Sequence, residues 1–209
     1  MNVWGITDRG VIRTQNQDAF AHQVLPDGRV VALVCDGMGG AKAGNVASSM
    51  AVDIFMREFL QDEGRSGLSD RSRMERPAAT ANEQVFRRAV TEPDCAGMGT
   101  TMVAALVEEG QALILNEGDS RAYHLSEEGG IVRALGADPE LRADLFRQKL
   151  NEGDFLLLCS DGLSNVVSEQ EILYEVIHGG EACTCCRRLL DIALHRGAPD
   201  NVTAVLIQC

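Results

Sequence analysis

The sequence predicts an α+β fold, a sandwich of two mainly antiparallel β-sheets flanked by α-helices in α-β-β-α layers. Three observations carry that expectation. Short strand-like runs are numerous and are joined by tight turns such as Pro26-Asp27-Gly28 and Glu108-Glu-Gly110. Helical segments fall two in the first half and two in the second, without the strict strand–helix alternation of a doubly wound parallel sheet. No linker and no internal repeat divides the 209 residues, so the chain is read as one domain, 1–209.

Taken in order, residues 3–7 read as a first strand and 19–25 as a second. The turn at 26–28 pairs that second strand in a hairpin with residues 30–35. This third run, Val-Val-Ala-Leu-Val-Cys, is apolar throughout and predicts a strand buried on both faces, ending at Asp36. Beyond the glycines that follow, Val46, Ala47, Met50, Ala51, Ile54, Phe55 and Phe59 recur at the spacing of an amphipathic helix. Residues 61–77 are polar and predict a mobile loop; a second helix over 78–90 should turn Val85, Phe86 and Ala89 inward. Strands are expected at 100–107, 112–116, 120–125 and 155–159. Ser168-Glu-Gln-Glu171 fits a capping box opening a helix toward Ile177. Residues 183–195 form a last helix, with Cys186, Leu189, Leu190, Ala193 and Leu194 on one face, before a closing strand at 202–207.

A formal charge of −12 disfavours nucleic acid or an anionic membrane as a general partner, since either requires a basic surface. No apolar run approaches a membrane span and the N-terminus lacks a signal pattern, so a cytoplasmic protein is expected. Seven cysteines do not suggest a disulfide framework in a chain of this size. Cys35 and Cys159 sit in apolar runs as small hydrophobes, and Cys183, Cys185 and Cys186 lack the further ligands of a zinc set.

The chemistry lies in carboxylates. Two buried strands each end at Asp-Gly, Asp36-Gly37 and Asp161-Gly162, and Asp18, Asp119 and Asp200 sit beside other strand ends or turns. Brought to one cleft, these groups would repel and their pKa values would rise. Divalent cations relieve the repulsion, and an all-oxygen donor set selects hard ions, Mg²⁺ or Mn²⁺. Such ions can activate water and clamp a phosphoryl group, while the planar fork of Arg13 suits phosphate oxygens. Asp-Gly is also a common structural turn, so the spacing alone leaves both readings open.

Six motifs then occur in order: Arg13-x-x-Asn16-Gln17-Asp18, Asp36-Gly-Met-Gly-Gly40, Gly97-Met-Gly-Thr-Thr101, Gly118-Asp-Ser-Arg121, Ser160-Asp-Gly-Leu163 and Asp200-Asn201-Val-Thr203. In these the chain resembles the bacterial metal-dependent protein phosphatases of the PPM, or type 2C, family. The resemblance implies two catalytic ions, Mn²⁺ or Mg²⁺, bridged by Asp36. It assigns the Gly37 carbonyl to the first ion, Asp161 and Asp200 to the second, and Asp18 to a nearby role through metal-bound water. Asp119 would join Asp161 at a third, weaker site, and Arg13 would hold the substrate phosphate. The implied reaction is hydrolysis of phosphoserine or phosphothreonine in proteins by a metal-bridging hydroxide, reversing a serine/threonine kinase. A monomer acting on phosphorylated proteins is expected.

Two departures from the family pattern stand out. Met38 occupies a place where eukaryotic relatives carry a histidine, and none of His22, His124, His178 or His195 falls in a motif, so each is read as structural or on the surface. Family members also carry a helical flap near residues 126–131. Here Leu125-Ser-Glu-Glu-Gly-Gly130 leads directly into Ile131, with Gly129-Gly130 suited to a tight hairpin turn, so the flap is expected to be absent. A non-catalytic phosphoprotein-binding module is the competing class, but it would be expected to have lost some of the five aspartates. A dinucleotide loop at Gly37-Met-Gly39-Gly40 fails because Lys42 stands where its third glycine belongs.

Overall fold

The computed structural model describes residues 1–63, 67–126, 130–135 and 144–209. The first half contains β1 (Asn2–Asp8), β2 (Asp18–Val24), β3 (Val30–Met38), α1 (Gly40–Asp62), α2 (Asp70–Thr91), β4 (Gly99–Thr100) and β5 (Met102–Glu108). Then follow β6 (Gln111–Glu117), β7 (Arg121–Ser126), β8 (Gly130–Leu135), β9 (Asp144–Lys149), β10 (Phe155–Cys159), α3 (Asp161–Ser164), α4 (Glu169–His178), α5 (Ala182–His195) and β11 (Val202–Gln208). One sheet runs β1-β11-β10-β7-β8 and the other β2-β3-β5-β6-β9, with β4 paired to β3. Every described pairing is antiparallel. With α1 and α2 covering the second sheet and α4 and α5 the first, the expected α-β-β-α layering is what the chain adopts.

Strand alternation sorts the apolar residues into three packed layers. On β3, Val31, Leu33 and Cys35 face α1 and α2, whereas Val30, Ala32 and Val34 face the opposite sheet. On β10, Leu157 and Cys159 pack toward α4 and α5, whereas Leu156 and Leu158 point into the sandwich. These strands are buried on both faces, which is why they read as continuous apolar runs. The hairpin between β2 and β3 closes through Gly28 N–H donating to the Leu25 carbonyl at 2.9 Å. The capping box at Ser168 forms as expected, with its hydroxyl accepting from Glu171 N–H while the Glu171 carboxylate accepts from Ser168 N–H.

Three expectations need correction. Much of the segment expected as a loop over 61–77 is helix, because α2 begins at Asp70 under an N-cap from Ser69. Its charged residues pair with the end of α1: Arg73 with Glu63 at 3.0 Å and Arg76 with Asp62 at 3.2 Å. Pro77 lies inside α2 and removes one intrahelical hydrogen bond, but Pro77 itself is buried along with the stripe Met74, Ala78, Ala81 and Val85. That stripe sets the helical phase and turns Phe86 outward, 66% exposed, so its expected inward position is wrong. Finally, β9 and α3 have no counterpart among the expected elements. The first is a charged edge strand whose apolar signal is only Leu145 and Phe146, and the second is a single turn. Residues 64–66 of the expected loop and residue 129 of the expected Gly129–Gly130 turn lie outside the described residues.

All seven cysteines are free, and burial pushes the Cys159 thiol up to about 12 and Cys35 higher still, consistent with packing roles. His124 is buried against Asp154 at 2.8 Å, and His178 and His195 bond to backbone carbonyls one turn earlier. Among the described residues no helix is long and apolar enough to cross a membrane.

The two sides of the packing can be separated by urea denaturation. Leu157→Ala empties a fully buried site and should cost about 2–5 kcal/mol. Phe86→Ala, at an exposed position, should change stability by less than about 0.5 kcal/mol.

Candidate active site

The same alternation that builds the core delivers polar groups to one end of the sandwich. On β3 the inward series Val30, Ala32, Val34 continues to Asp36, and on β10 the inward series Leu156, Leu158 continues to Ser160 just beyond the strand. On β11, Thr203 shares the inward parity of Val205 and Ile207, and on β2 Asp18 shares that of Phe20 and is the register partner of Asp36. Ser160 and Thr203 donate hydroxyl hydrogen bonds to Asp18 Oδ2 at 2.7 and 2.6 Å. A buried carboxylate thus joins the two sheets where their cores end.

In front of it opens a cavity of about 560 Å³, lined by Arg13, Asp36, Gly37, Asp119, Asp161 and Asp200 together with Met38 and neighbouring residues. Six of the seven residues singled out from sequence therefore line one space, and the seventh, Asp18, lies buried behind it. The backbone of Asp36 is clamped on both sides: its N–H donates to Thr101 Oγ1 at 3.0 Å, and its carbonyl accepts from Thr100 Oγ1 and Thr101 N–H, both at 2.9 Å. The break between β4 and β5 falls at Thr101, which makes this clamp possible. Asp161 opens α3, accepting from Asn165 Nδ2 at 3.0 Å, while Arg13 Nη2 reaches Asp200 Oδ2 at 2.6 Å.

The glycines after the two strand aspartates have a steric cause. A Cβ at Gly37 would lie 2.1 Å from the Gly44 carbonyl oxygen of α1, and one at Gly162 would lie 1.9 Å from the Asn201 carbonyl oxygen. Close backbone crossings beside each aspartate leave no room for a side chain. Asn201 then ties the Arg13 loop in place, donating to the Arg9 and Gln15 carbonyls at 2.8 and 2.9 Å and accepting from Gln17 N–H at 2.8 Å. Ser160, Thr101, Asn201 and Thr203 are present in the motifs, but their task of holding the aspartates depends on contacts between remote segments.

The electrostatics are those of crowded like charges. Burial, reinforced by Asp18, Asp161, Asp200 and Asp119, raises the Asp36 pKa to about 8. Burial likewise raises Asp18 to about 6 against its two hydroxyl donors, and Asp161 is raised by burial and by Asp119 and Asp200. Asp18 Oδ1 and Asp161 Oδ1 are buried with no hydrogen-bond partner among the described residues. Among those residues no three acidic, histidine or cysteine side chains close on a single point.

Solved structures similar to this chain include bacterial phosphatases. The catalytic domain of serine threonine protein phosphatase PstP in complex with two manganese ions superposes with a TM-score of 0.81 at 29% identity, covering 98% of this chain and 96% of that one. Serine/threonine phosphatase Stp1 from Staphylococcus aureus gives 0.82 at 29% identity, covering 99% and 94%. The protein phosphatase 2C profile matches residues 12–183, and the chain belongs to the protein phosphatase 2C family. Among curated relatives, serine/threonine phosphatase stp of Listeria monocytogenes is 30% identical across 97% of this chain and 93% of its own length. Serine/threonine protein phosphatase PstP of Mycobacterium tuberculosis is 32% identical across 96% of this chain and 43% of its own length.

The raised carboxylates make a pH prediction. Asp36 and Asp18 bind protons more tightly folded than unfolded, so their contribution to stability is full below the unfolded value of 3.8 and is lost as pH rises through about 6 and about 8. With chelator present, the melting temperature should fall steadily from about pH 5 to about pH 8, and Asp36→Asn should flatten the upper part of that slope.

Proposed function

We propose that this phosphatase hydrolyses phosphoserine and phosphothreonine in proteins, using two divalent cations, Mn²⁺ or Mg²⁺, and counteracting a serine/threonine kinase. The observation that carries this reading is the convergence of Asp36, Asp119, Asp161 and Asp200 on one cavity, with Asp18 behind it and two buried carboxylate oxygens left without partners. An oxygen-only donor set of high negative charge fits hard cations that keep part of their water shell. Asp36 would bridge the pair, with the Gly37 carbonyl on one ion and Asp161 and Asp200 on the other; Asp119 and Asp161 would hold a weaker third. When bound, the cations would supply Lewis-acid activation of water and would offset phosphoryl charge.

The chain's own groups do the rest. Arg13 stands half-exposed at the rim, paired with Asp200, and its remaining N–H groups are free to take phosphoryl oxygens as a planar fork. Asp18, fixed by Ser160 and Thr203, keeps Oδ1 available to accept a hydrogen bond from water and so orient it. Thr100 and Thr101 keep Asp36 from rotating away with its strand end. Among the described residues no histidine lines the cavity, which leaves protonation of the leaving alkoxide to water or to the substrate.

The domain is read as a single catalytic unit over 1–209 without a flap near 126–131. Support comes from the register of β7 with β8, in which Ser126 opposes Gly130. The alignment with the Listeria relative also extends over 239 positions, more than the 209 residues present here.

The purified protein should hydrolyse p-nitrophenyl phosphate in Mn²⁺ and lose that activity in chelator. Asp36→Asn should lower turnover by about a hundredfold or more. Metal-dependent turnover that survives Asp36→Asn would overturn the site. Arg13→Ala should reduce kcat/KM by about ten- to a hundredfold, the value of a charge-assisted hydrogen bond to phosphate. Grafting a family-type flap between residues 126 and 131 should alter phosphopeptide preference more than aryl phosphate turnover; unchanged preference would count against a role for its absence.

A further inference from the structure

A second concavity of about 280 Å³ opens beside the acidic cavity. Its floor is apolar, built from Ala51 of α1, Ala78 and Val85 of α2, and Met98 and Met102 on either side of β4. Asn82, Glu117 and Phe86 stand around it. Met38 lines both concavities and is 56% exposed, so the two adjoin across one side chain. Phe86 is 66% exposed, directed away from the buried stripe of α2. An exposed aromatic beside an apolar floor marks a surface that gains by being covered.

The position of the groove identifies what covers it. Met38 lies two residues past Asp36 on β3, about 7 Å along a strand. An extended peptide advances about 3.3 Å per residue, so a phosphorylated residue seated in the acidic cavity carries a side chain two or three positions away over the groove. Glu117 at the edge and the aspartates next door disfavour an acidic side chain there. Methionines, unbranched and polarizable, adapt to more than one apolar shape.

We propose that this groove is a specificity subsite, which takes an apolar side chain of the phosphoprotein two or three residues from the phosphoserine or phosphothreonine. The proposal rests on the phosphatase reading above. Phe86 and the wall of α2 would contact that side chain, and Met38 would separate it from the reacting phosphate.

The test compares phosphothreonine peptides in Mn²⁺, identical except for leucine or serine at the second and third positions on either side, with p-nitrophenyl phosphate as a substrate too small to span both sites. Leucine at one of these positions should raise kcat/KM about tenfold, mainly through KM. Phe86→Ala and, separately, the groove-filling Asn82→Trp should remove that preference while leaving aryl phosphate turnover unchanged. Intact aryl phosphate hydrolysis without any leucine preference, or a preference that survives both substitutions, would overturn the subsite alone. Failure to hydrolyse the aryl phosphate at all would overturn the phosphatase reading and the subsite with it.

Discussion

Like charges held close together at the mouth of a low-dielectric sandwich repel, and the structure around this cavity is arranged to keep them there. Asp36 and Asp18 lie opposite each other on neighbouring strands, where burial and the surrounding carboxylates all oppose ionisation. The protein opposes that repulsion with directed hydrogen bonds rather than with a wall of cations. Ser160 and Thr203 bind one oxygen of Asp18, Asn165 binds one oxygen of Asp161, and Arg13 pairs with Asp200. Asp18 and Asp161 each keep a second oxygen without a hydrogen-bond partner among the described residues, whereas Asp200 is engaged at both, by Arg13 and by the Asn201 N–H. The result is a site whose charge is incompletely neutralised by its own chain, and which has most to gain from divalent cations.

The fold supplies the rigidity that such an arrangement demands. Both central strands are packed on two faces, and the polar ends of β3, β10 and β11 emerge from the same inter-sheet layer. Close backbone crossings at Gly37 and Gly162 then fix the segments carrying Asp36 and Asp161 against α1 and the Asn201 turn. Asn201 reaches across to the loop of Arg13, so Arg13 and the acidic cluster share one support. Relatives from Listeria and Mycobacterium are 30% and 32% identical, a divergence that leaves room for different substrates at the rim. The apolar groove beyond Met38 is the part of that rim with the clearest chemical preference.

Much of this architecture is legible in the order of the residues alone. The continuous apolar runs ending at Asp36 and near Asp161 point to doubly buried strands, and four of the five motif aspartates line one cavity, with Asp18 behind it. The capping box at Ser168 and the turn after Leu25 are local chemistry and form accordingly. Expectation and structure part where a local signal is outweighed by contacts made at a distance. Charges between Gln61 and Pro77 suggest a loop because the pairing of Asp62 and Glu63 with Arg76 and Arg73 across two helices leaves no trace in the local pattern. An inward Phe86 follows from starting the helix at residue 78 instead of Asp70, which loses the full Met74–Ala78–Ala81–Val85 stripe that sets its phase.

The sequence by itself determined the strand cores, the identity of the acidic residues and the order of the motifs, because periodicity and residue chemistry act over a few neighbouring positions. Only the tertiary structure decided that Ser160 and Thr203 secure Asp18, that Thr100 and Thr101 clamp Asp36, and that Met38 joins the cavity to an apolar groove. Those relations join segments tens to nearly two hundred residues apart. Sheet register and helix packing create them, and neither is encoded within any single stretch of the chain.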